Sequence, residues 1–594
     1  MHTQAIVIAG MGFFADAYDL FSISILTKLL GRIYFQEYHT GAKPGQLPIN
    51  QNAAVTALAL VGTLLGQLLF GYLGAAIPRP PAPPPRALTS RLGVRFLFTG
   101  DRFGRKKVYG VSLAMMIFSS VASGMTFGPT SNPSAVIGSL CCFRFFLGLG
   151  VGGDYPLSAT IMSEYSNKNN RGALVAAVFA MQGIGILAAA TVSIIVVSIF
   201  KSHNPGTPYG KSVELIKGSC PPEADFVWRI ILAFGAVPAA LTMYSRMMMP
   251  ETPRFTLTVQ GNVAKATADV AKVTKTEVGH VEVAPRQRMS SRQFVRQWWK
   301  PLLGCCVSWF MLDVAFYSQN LFQKDVFTAV GWIPKANTMN CLEETFKIAR
   351  AQALIALGST VPGYWFTVFF IDKVGRIPIQ LGGFAMMTIF MAVLAAAYNK
   401  LYTDSQAGFV TIYALTFFFS NFGPNSTTFV LPGELFPTAW KATGHGIAAA
   451  SGKAGAIVGA FGFLYASQPR DQSQSKPYPP GIGLRQSLGL LAAINFVGMM
   501  FTFLIPETKG RTLEEINGEY GDLPLHLLSK AKQAALRNST SETSERVQPE
   551  GGGGGGEPLA PPPAASLADK AADPPVVQEA QALREGAPGA EHVG

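Results

Sequence analysis

Asp372-Lys373-Val374-Gly375-Arg376 has a counterpart far upstream, Asp101-Arg102-Phe103-Gly104-Arg105, and that pairing decides the architecture. Each stretch joins two long apolar runs, and each follows a Gly-Tyr pair near the end of the run before it, Gly363-Tyr364 and Gly71-Tyr72. Two further landmarks keep the same order. Glu164 precedes Arg171-Gly172 as Glu434 precedes Lys441, and Pro250-Glu251-Thr252 closes one half as Pro506-Glu507-Thr508 closes the other. Chance supplies one Asp-x-x-Gly-Arg easily but not three matched landmarks in series. The chain therefore reads as two six-helix halves in the same orientation.

Composition places those halves in a membrane. Of 594 residues, 49% are hydrophobic and only 14% are charged, with a mean hydropathy of +0.27. A soluble chain carries about 25% charged residues. Apolar runs long enough to span a bilayer fall near 5–30, 52–74, 107–128, 134–162, 171–200 and 226–248, then near 300–322, 350–371, 376–399, 408–431, 443–467 and 486–505. The expected fold is an all-α membrane protein with twelve transmembrane helices in two six-helix pseudo-repeat bundles. The first run passes from Gln4 beyond Asp16 without a small-residue cleavage site, so it reads as a retained helix.

The expected segments are a first bundle over 1–250, a central loop over 251–299, a second bundle over 300–506 and a tail over 507–594. A Pro/Arg-rich insert, 75–100, interrupts the loop between the second and third runs. The tail, with Gly551 to Gly556, lacks the apolar content for a core. Base crowds one set of loops: Arg102 to Lys107, Lys168 and Arg171, Arg246 through Lys300, Lys373 and Arg376, and Lys441. The positive-inside rule puts those loops and both termini in the cytoplasm. Basic loops beside anionic lipid account for much of the net charge of +13 without nucleic acid.

Charge inside the apolar runs is the functional signal. Asp16 and Asp19 sit in the first run, Arg144 and Asp154 in the fourth, Asp313 in the seventh and Lys453 in the eleventh. A charge at the bilayer centre costs about 2.5–3.5 kcal/mol on insertion scales, so such residues face protein or a wet path. Trp309, Asp313 and Tyr317 are spaced i, i+4, i+8 and line one helix face. Asp16 and Asp19, at i and i+3, can share another, and Asp154 near Arg144 suggests an ion pair. The six cysteines show no metal-ligand spacing. Cys141-Cys142 and Cys305-Cys306 lie within runs, whereas Cys220 and Cys341 fall in two outward loops, where a bridge is open. Ser290-Ser291, in the basic central loop, offers a phosphorylation site or simply solvated serines. No phosphate-binding G-x-x-x-x-G-K-[ST] loop occurs, so any transport draws on a gradient.

The layout resembles the major facilitator superfamily over about 5–520. In that superfamily the Asp/Arg loops act as cytoplasmic latches, which implies that role for Asp101, Arg105, Asp372 and Arg376. Finer motifs narrow the resemblance: Gly150-Val-Gly152-Gly153-Asp154-Tyr155-Pro156-Leu157-Ser158, Gly12-Phe-Phe-Ala-Asp16-Ala-Tyr-Asp19, Phe179-Ala-Met-Gln182-Gly, Trp309-Phe-Met-Leu-Asp313-Val-Ala-Phe-Tyr317, Asn421-Phe-Gly-Pro-Asn425 and Ser451-Gly-Lys453. Together they are similar to the plant and fungal type of proton-coupled inorganic phosphate transporters. The resemblance implies a phosphate pocket of Tyr155, Gln182, Trp309, Asp313, Tyr317 and Asn421 with Lys453 beside it. It also implies a plasma-membrane importer with no cofactor, metal or enzymatic site, whose partners are phosphate, protons and the lipid bilayer. Oligomeric state stays open.

A carboxylate in an anion pocket makes chemical sense for dihydrogen phosphate, whose P–O–H groups donate to it. Sulfate offers Asp313 only like charge and leaves it an unpaired acceptor. The neutral donors of Tyr, Trp, Gln and Asn serve the remaining oxygens. On the same logic Asp16, Asp19 and Asp154 are the expected proton carriers, with Arg144 as counter-charge or as a structural tie. Gln182 and Asn421 are also open as interhelical hydrogen-bond partners. Two other readings stand beside this one. A sugar porter would share the Pro-Glu-Thr punctuation, and a phosphate sensor would bind with little flux.

Overall fold

The computed structural model describes residues 2–36, 44–73, 100–126, 132–166, 169–210, 212–248, 289–438, 440–471 and 478–517. The insert, most of the central loop and most of the tail lie outside the described residues, as do the side chains of Asp101 and Arg105. The described residues form one compact unit.

Among the described residues, twelve helical spans run in the expected order. They are α1 (His2–Tyr34), α2 (Ile49–Leu73), α3 (Gly100–Gly124), α4 (Pro133–Tyr165), α5 (Arg171–His203), α6 (Ala224–Phe234 with Ala236–Met248), α7 (Ser291–Leu321), α8 (Cys341–Val374), α9 (Arg376–Ala396), α10 (Gln406–Asn421 with Pro424–Leu435), α11 (Lys441–Ala466) and α12 (Leu484–Thr502). Nine of them, among the described residues, are individually long and apolar enough to cross a membrane. The other three are α1, with Asp16, Asp19, Lys28 and Arg32; α3, whose first turns are charged; and α10, which is split.

Local chemistry sets the ends and breaks. Asn132 accepts from Ala135 N ahead of Pro133, opening α4 where proline has no donor to lose. Ser290 and Gln293 form a reciprocal capping box at the start of α7, which gives Ser290 a structural duty. The α10 break falls at Gly423-Pro424, and α8 contains a π-helical turn over Ala356–Thr360. Between α8 and α9, Gly375 adopts φ 115°, a conformation that side-chain-bearing residues avoid.

The repeat is visible in the packing. α1 lies on α5 as α7 lies on α11, and α3 packs with α4 and α6 as α9 packs with α10 and α12. The halves meet along α2 against α11 and α5 against α8. A bilayer gives no hydrophobic drive to helix association, so close backbone contact must supply it. Gly62 on α2 and Gly148 on α4 face Phe145 and Ala59 carbonyls so closely that a Cβ on either would overlap them.

Candidate functional site

Three of the six charged residues of the spans, Asp16, Asp313 and Lys453, come together where the halves meet. Lys453 on α11 places its Nζ 2.9 Å from Asp313 Oδ2 on α7, and both side chains are buried. The same ammonium lies 4.6 Å from the Tyr317 ring centre and 5.1 Å from that of Tyr155 on α4. Two aromatic faces and one carboxylate therefore surround a single cation, an arrangement favoured by ring quadrupoles in a dry setting. One turn below Asp313, the Trp309 indole packs against Gly452 and stands 5.6 Å edge-on to His445. Asp16 is close enough to act electrostatically on Tyr155, Tyr317 and Lys453. Five of the seven expected pocket residues, Tyr155, Trp309, Asp313, Tyr317 and Lys453, are thus grouped around one point.

Gln182 and Asn421 flank that group through a residue that the sequence reading named as a repeat landmark but did not assign to the pocket. Tyr364 on α8 packs its ring on Gly183, next to Gln182, and on Phe179, 5.9 Å away. Its hydroxyl accepts from Asn425 Nδ2 at 2.6 Å, and the same amide donates to Asn421 Oδ1 at 2.7 Å. Asn421 spends its own Nδ2 on Phe417 O, 2.7 Å away. With an acceptor site of Tyr364 filled by Asn425, its O–H is left to donate. The Gly-Tyr landmark had marked the position, but its counterpart Tyr72 is exposed and only Tyr364 turns inward.

Aromatic layers close the site on both sides. Phe179 stacks on Phe429 across the halves at 4.5 Å and 16°, with Phe13 edge-on to both. On the other side Phe21 stacks on Tyr317 at 5.6 Å. Beyond Phe21, Ser24 donates to Gln352 and Arg32 forms a buried 2.9 Å ion pair with Glu344. Lys28 reaches Asp325 at 3.4 Å. Beside it, on the short helix Gln323–Ala329, burial pushes the Lys324 ammonium down to about 8, with Asp325 pulling it back upward.

At the opposite end Asp372 accepts from Gly172 N at 3.2 Å and Ala173 N at 2.8 Å, so one half caps the α5 N-terminus of the other. Arg376 bridges Asp372 at 2.9 Å and the buried Glu434 at 2.8 Å. Glu507 in turn accepts from the backbone of Arg376 and Ile377, the start of α9.

Two expectations for the proton-carrying residues are corrected. Arg144 does not pair with Asp154: ten residues along one continuous helix are about 15 Å apart. Instead Arg144 donates to Val55 O at 2.9 Å and to the Asp19 backbone carbonyl at 3.3 Å, with the Asp19 carboxylate as its charged neighbour. Asp16 and Asp19 do not share surroundings either. Three residues advance a helix by about 300°, which leaves a 60° offset. Asp16 looks to the site, while Asp19 turns into the first bundle, where Ser120 Oγ donates to Oδ1 at 3.0 Å. Gly235, the break in α6, makes room there, since a Cβ would overlap that oxygen. Asp154 is fully buried on α4 beside Tyr155.

Comparison with known proteins adds the family. Residues 93–520 match the model of the "Sugar (and other) transporter" family. The chain is 56% identical over 528 residues to the probable inorganic phosphate transporter 1-3 of Arabidopsis thaliana, covering 87% of this chain and 95% of that one. It is 55% identical over 533 residues to the low affinity inorganic phosphate transporter 1 of Petunia hybrida, covering 87% and 93%. The fold matches the solved structure of the proton:xylose symporter XylE, a major facilitator superfamily protein, with a TM-score of 0.59 at 19% identity over 87% of this chain and 98% of that one.

Proposed function

The chain belongs to the inorganic phosphate transporter family within the sugar (and other) transporters, with the major facilitator fold, and from that premise we propose that it imports dihydrogen phosphate together with protons by alternating access. The observation that carries this reading is the buried Lys453–Asp313 pair at the junction of the halves. A monoanion that also has P–O–H donors can use both members: the ammonium takes its charge and the carboxylate takes a proton-bearing oxygen. Tyr155, Tyr317, Trp309 and Gln182 supply neutral donors. Asn421 acts through Asn425 to aim the Tyr364 hydroxyl.

Coupling is assigned to Asp16, Asp19 and Asp154, with Arg144 as the counter-charge of Asp19. Protonating Asp19 weakens its attraction to Arg144 and loosens α1 against α4, a local charge event acting on a two-state element. Asp16, near the pocket residues, lets proton and anion affect each other. Asp372 and Arg376 hold one end shut, and by sequence symmetry Asp101 and Arg105 are assigned the matching latch. The expected setting is the plasma membrane, with both termini and the Asp372 end in the cytoplasm and the Arg32–Glu344 end outside.

The likeness to XylE at 19% identity reports the fold alone, so substrate has to be tested directly. Purified protein in vesicles loaded with unlabelled phosphate should exchange it for labelled phosphate, independent of orientation and of any proton gradient. Excess phosphate should compete, and sulfate and xylose should not. Exchange of xylose, or equal competition by sulfate, would contradict the assignment.

A further inference from the structure

The outer closure contains two cysteines that the transport reading leaves unused. Cys220 lies just before α6 in the first half, and Cys341 is the first residue of α8 in the second. Cys341 N donates to Ser219 O at 2.9 Å, which ties the two backbones side by side. The two side chains are near enough for Cys220 to act electrostatically on Cys341. Cys341 is buried and Cys220 half-buried, so Cys220 is the more accessible member of the pair. The seam continues on either side, where Asn340 Nδ2 donates to Pro205 O at 2.6 Å and Arg32 pairs with Glu344. The other cysteines cannot do the same, because Cys141-Cys142 and Cys305-Cys306 are each neighbours on one helix.

We propose that Cys220 and Cys341 are an oxidisable thiol pair which a peroxide converts to a disulfide, stapling the two halves together at the outer end. Cys220 sulfur attacks one peroxide oxygen, the O–O bond breaks, and a sulfenic acid and water result. Cys341 sulfur then attacks the sulfenic sulfur and the second oxygen leaves as water. Two thiols and one hydrogen peroxide give one disulfide and two waters; each sulfur loses one electron and peroxide gains two. Extracellular surfaces lack the thiol pool that keeps cytosolic cysteines reduced, so the bond would persist until a reductant arrives. The inference rests on alternating access with this end outward. Entry of phosphate then requires this seam to part, and a covalent bridge across it stops the cycle.

The test is made in intact cells expressing the full chain, exposed to hydrogen peroxide and then quenched. Tryptic mass spectrometry should find the Cys220 and Cys341 peptides linked, and phosphate uptake should fall in proportion to the linked fraction. Dithiothreitol should restore uptake. Cys220→Ser, at a half-exposed position, and Cys341→Ser should each transport normally and keep their uptake under peroxide. Absence of the link, a link that leaves uptake unchanged, or equal inhibition of Cys220→Ser would overturn the proposal. Linkage is read without phosphate, so a chain that links but carries none when reduced upholds the thiol pair and contradicts the transport reading instead.

Discussion

Lys453 and Asp313 come from helices α11 and α7 and neutralise each other at 2.9 Å in a site sealed from both sides. Neither charge is tolerable alone at that depth. Their mutual attraction offsets desolvation only while both are present, and a partner left behind costs about 3–5 kcal/mol. On the proposed reading, an entering anion replaces Asp313 as the partner of Lys453 without stranding the carboxylate. Dihydrogen phosphate can do that because it donates as well as accepts.

The first prediction is a double-mutant cycle on this pair. Asp313→Asn and Lys453→Met should each lower the thermal midpoint in detergent, by the equivalent of about 3–5 kcal/mol. The double variant should lose much less than the sum. Strict additivity would show that the pair does not form. Phosphate exchange should be lost in all three.

A second concerns Tyr364. Phenylalanine there keeps the ring on Gly183 but removes the hydroxyl that accepts from Asn425. Stability should fall by about 1 kcal/mol, the worth of one hydrogen bond. The KM for phosphate should rise about fivefold, again roughly 1 kcal/mol. An unchanged KM would remove Tyr364 from the site.

Much of this was legible in the residues, and the exceptions have physical causes. The paired Asp-x-x-Gly-Arg loops announced the repeat, and the i, i+4, i+8 spacing of Trp309, Asp313 and Tyr317 put them together. Helix arithmetic alone would have separated Arg144 from Asp154. The Gly423-Pro424 pair was a readable break signal. By contrast, the parting of Asp16 from Asp19 depends on what stands at a 60° offset, and that is set by α3 and α6. The Arg32–Glu344 pair joins residues 312 apart in sequence, and nothing local foretells it. Tyr364 and Tyr72 share a landmark but face opposite ways, which only packing decides.

The third prediction tests the space made for Asp19. Gly235→Ala should lower the thermal midpoint because the added Cβ overlaps the Asp19 carboxylate. Adding Asp19→Ser, a shorter side chain, should recover part of that loss. If Asp19→Ser brings no recovery, the clash lies elsewhere.

A fourth follows from Lys324. Its ammonium titrates near 8 in the folded chain rather than at its ordinary 10.5, so the folded state sheds the proton first. Below pH 8 the fold bears the full cost of the buried charge, and stability gained from this group rises as pH climbs from 8 toward 10.5. Lys324→Met should therefore raise the thermal midpoint more at pH 6.5 than at pH 9.5, two values chosen to bracket about 8. An equal shift at both pH values would refute the assignment.

The central claim is that phosphate and protons move together through the site at Lys453 and Asp313. Its most direct measurement is labelled phosphate uptake by sealed vesicles containing the purified chain, with an acid-outside gradient imposed and then collapsed by a protonophore. The account predicts accumulation above the external concentration, released on collapse and absent in Asp313→Asn. Phosphate that merely equilibrates, with or without the gradient, would contradict it.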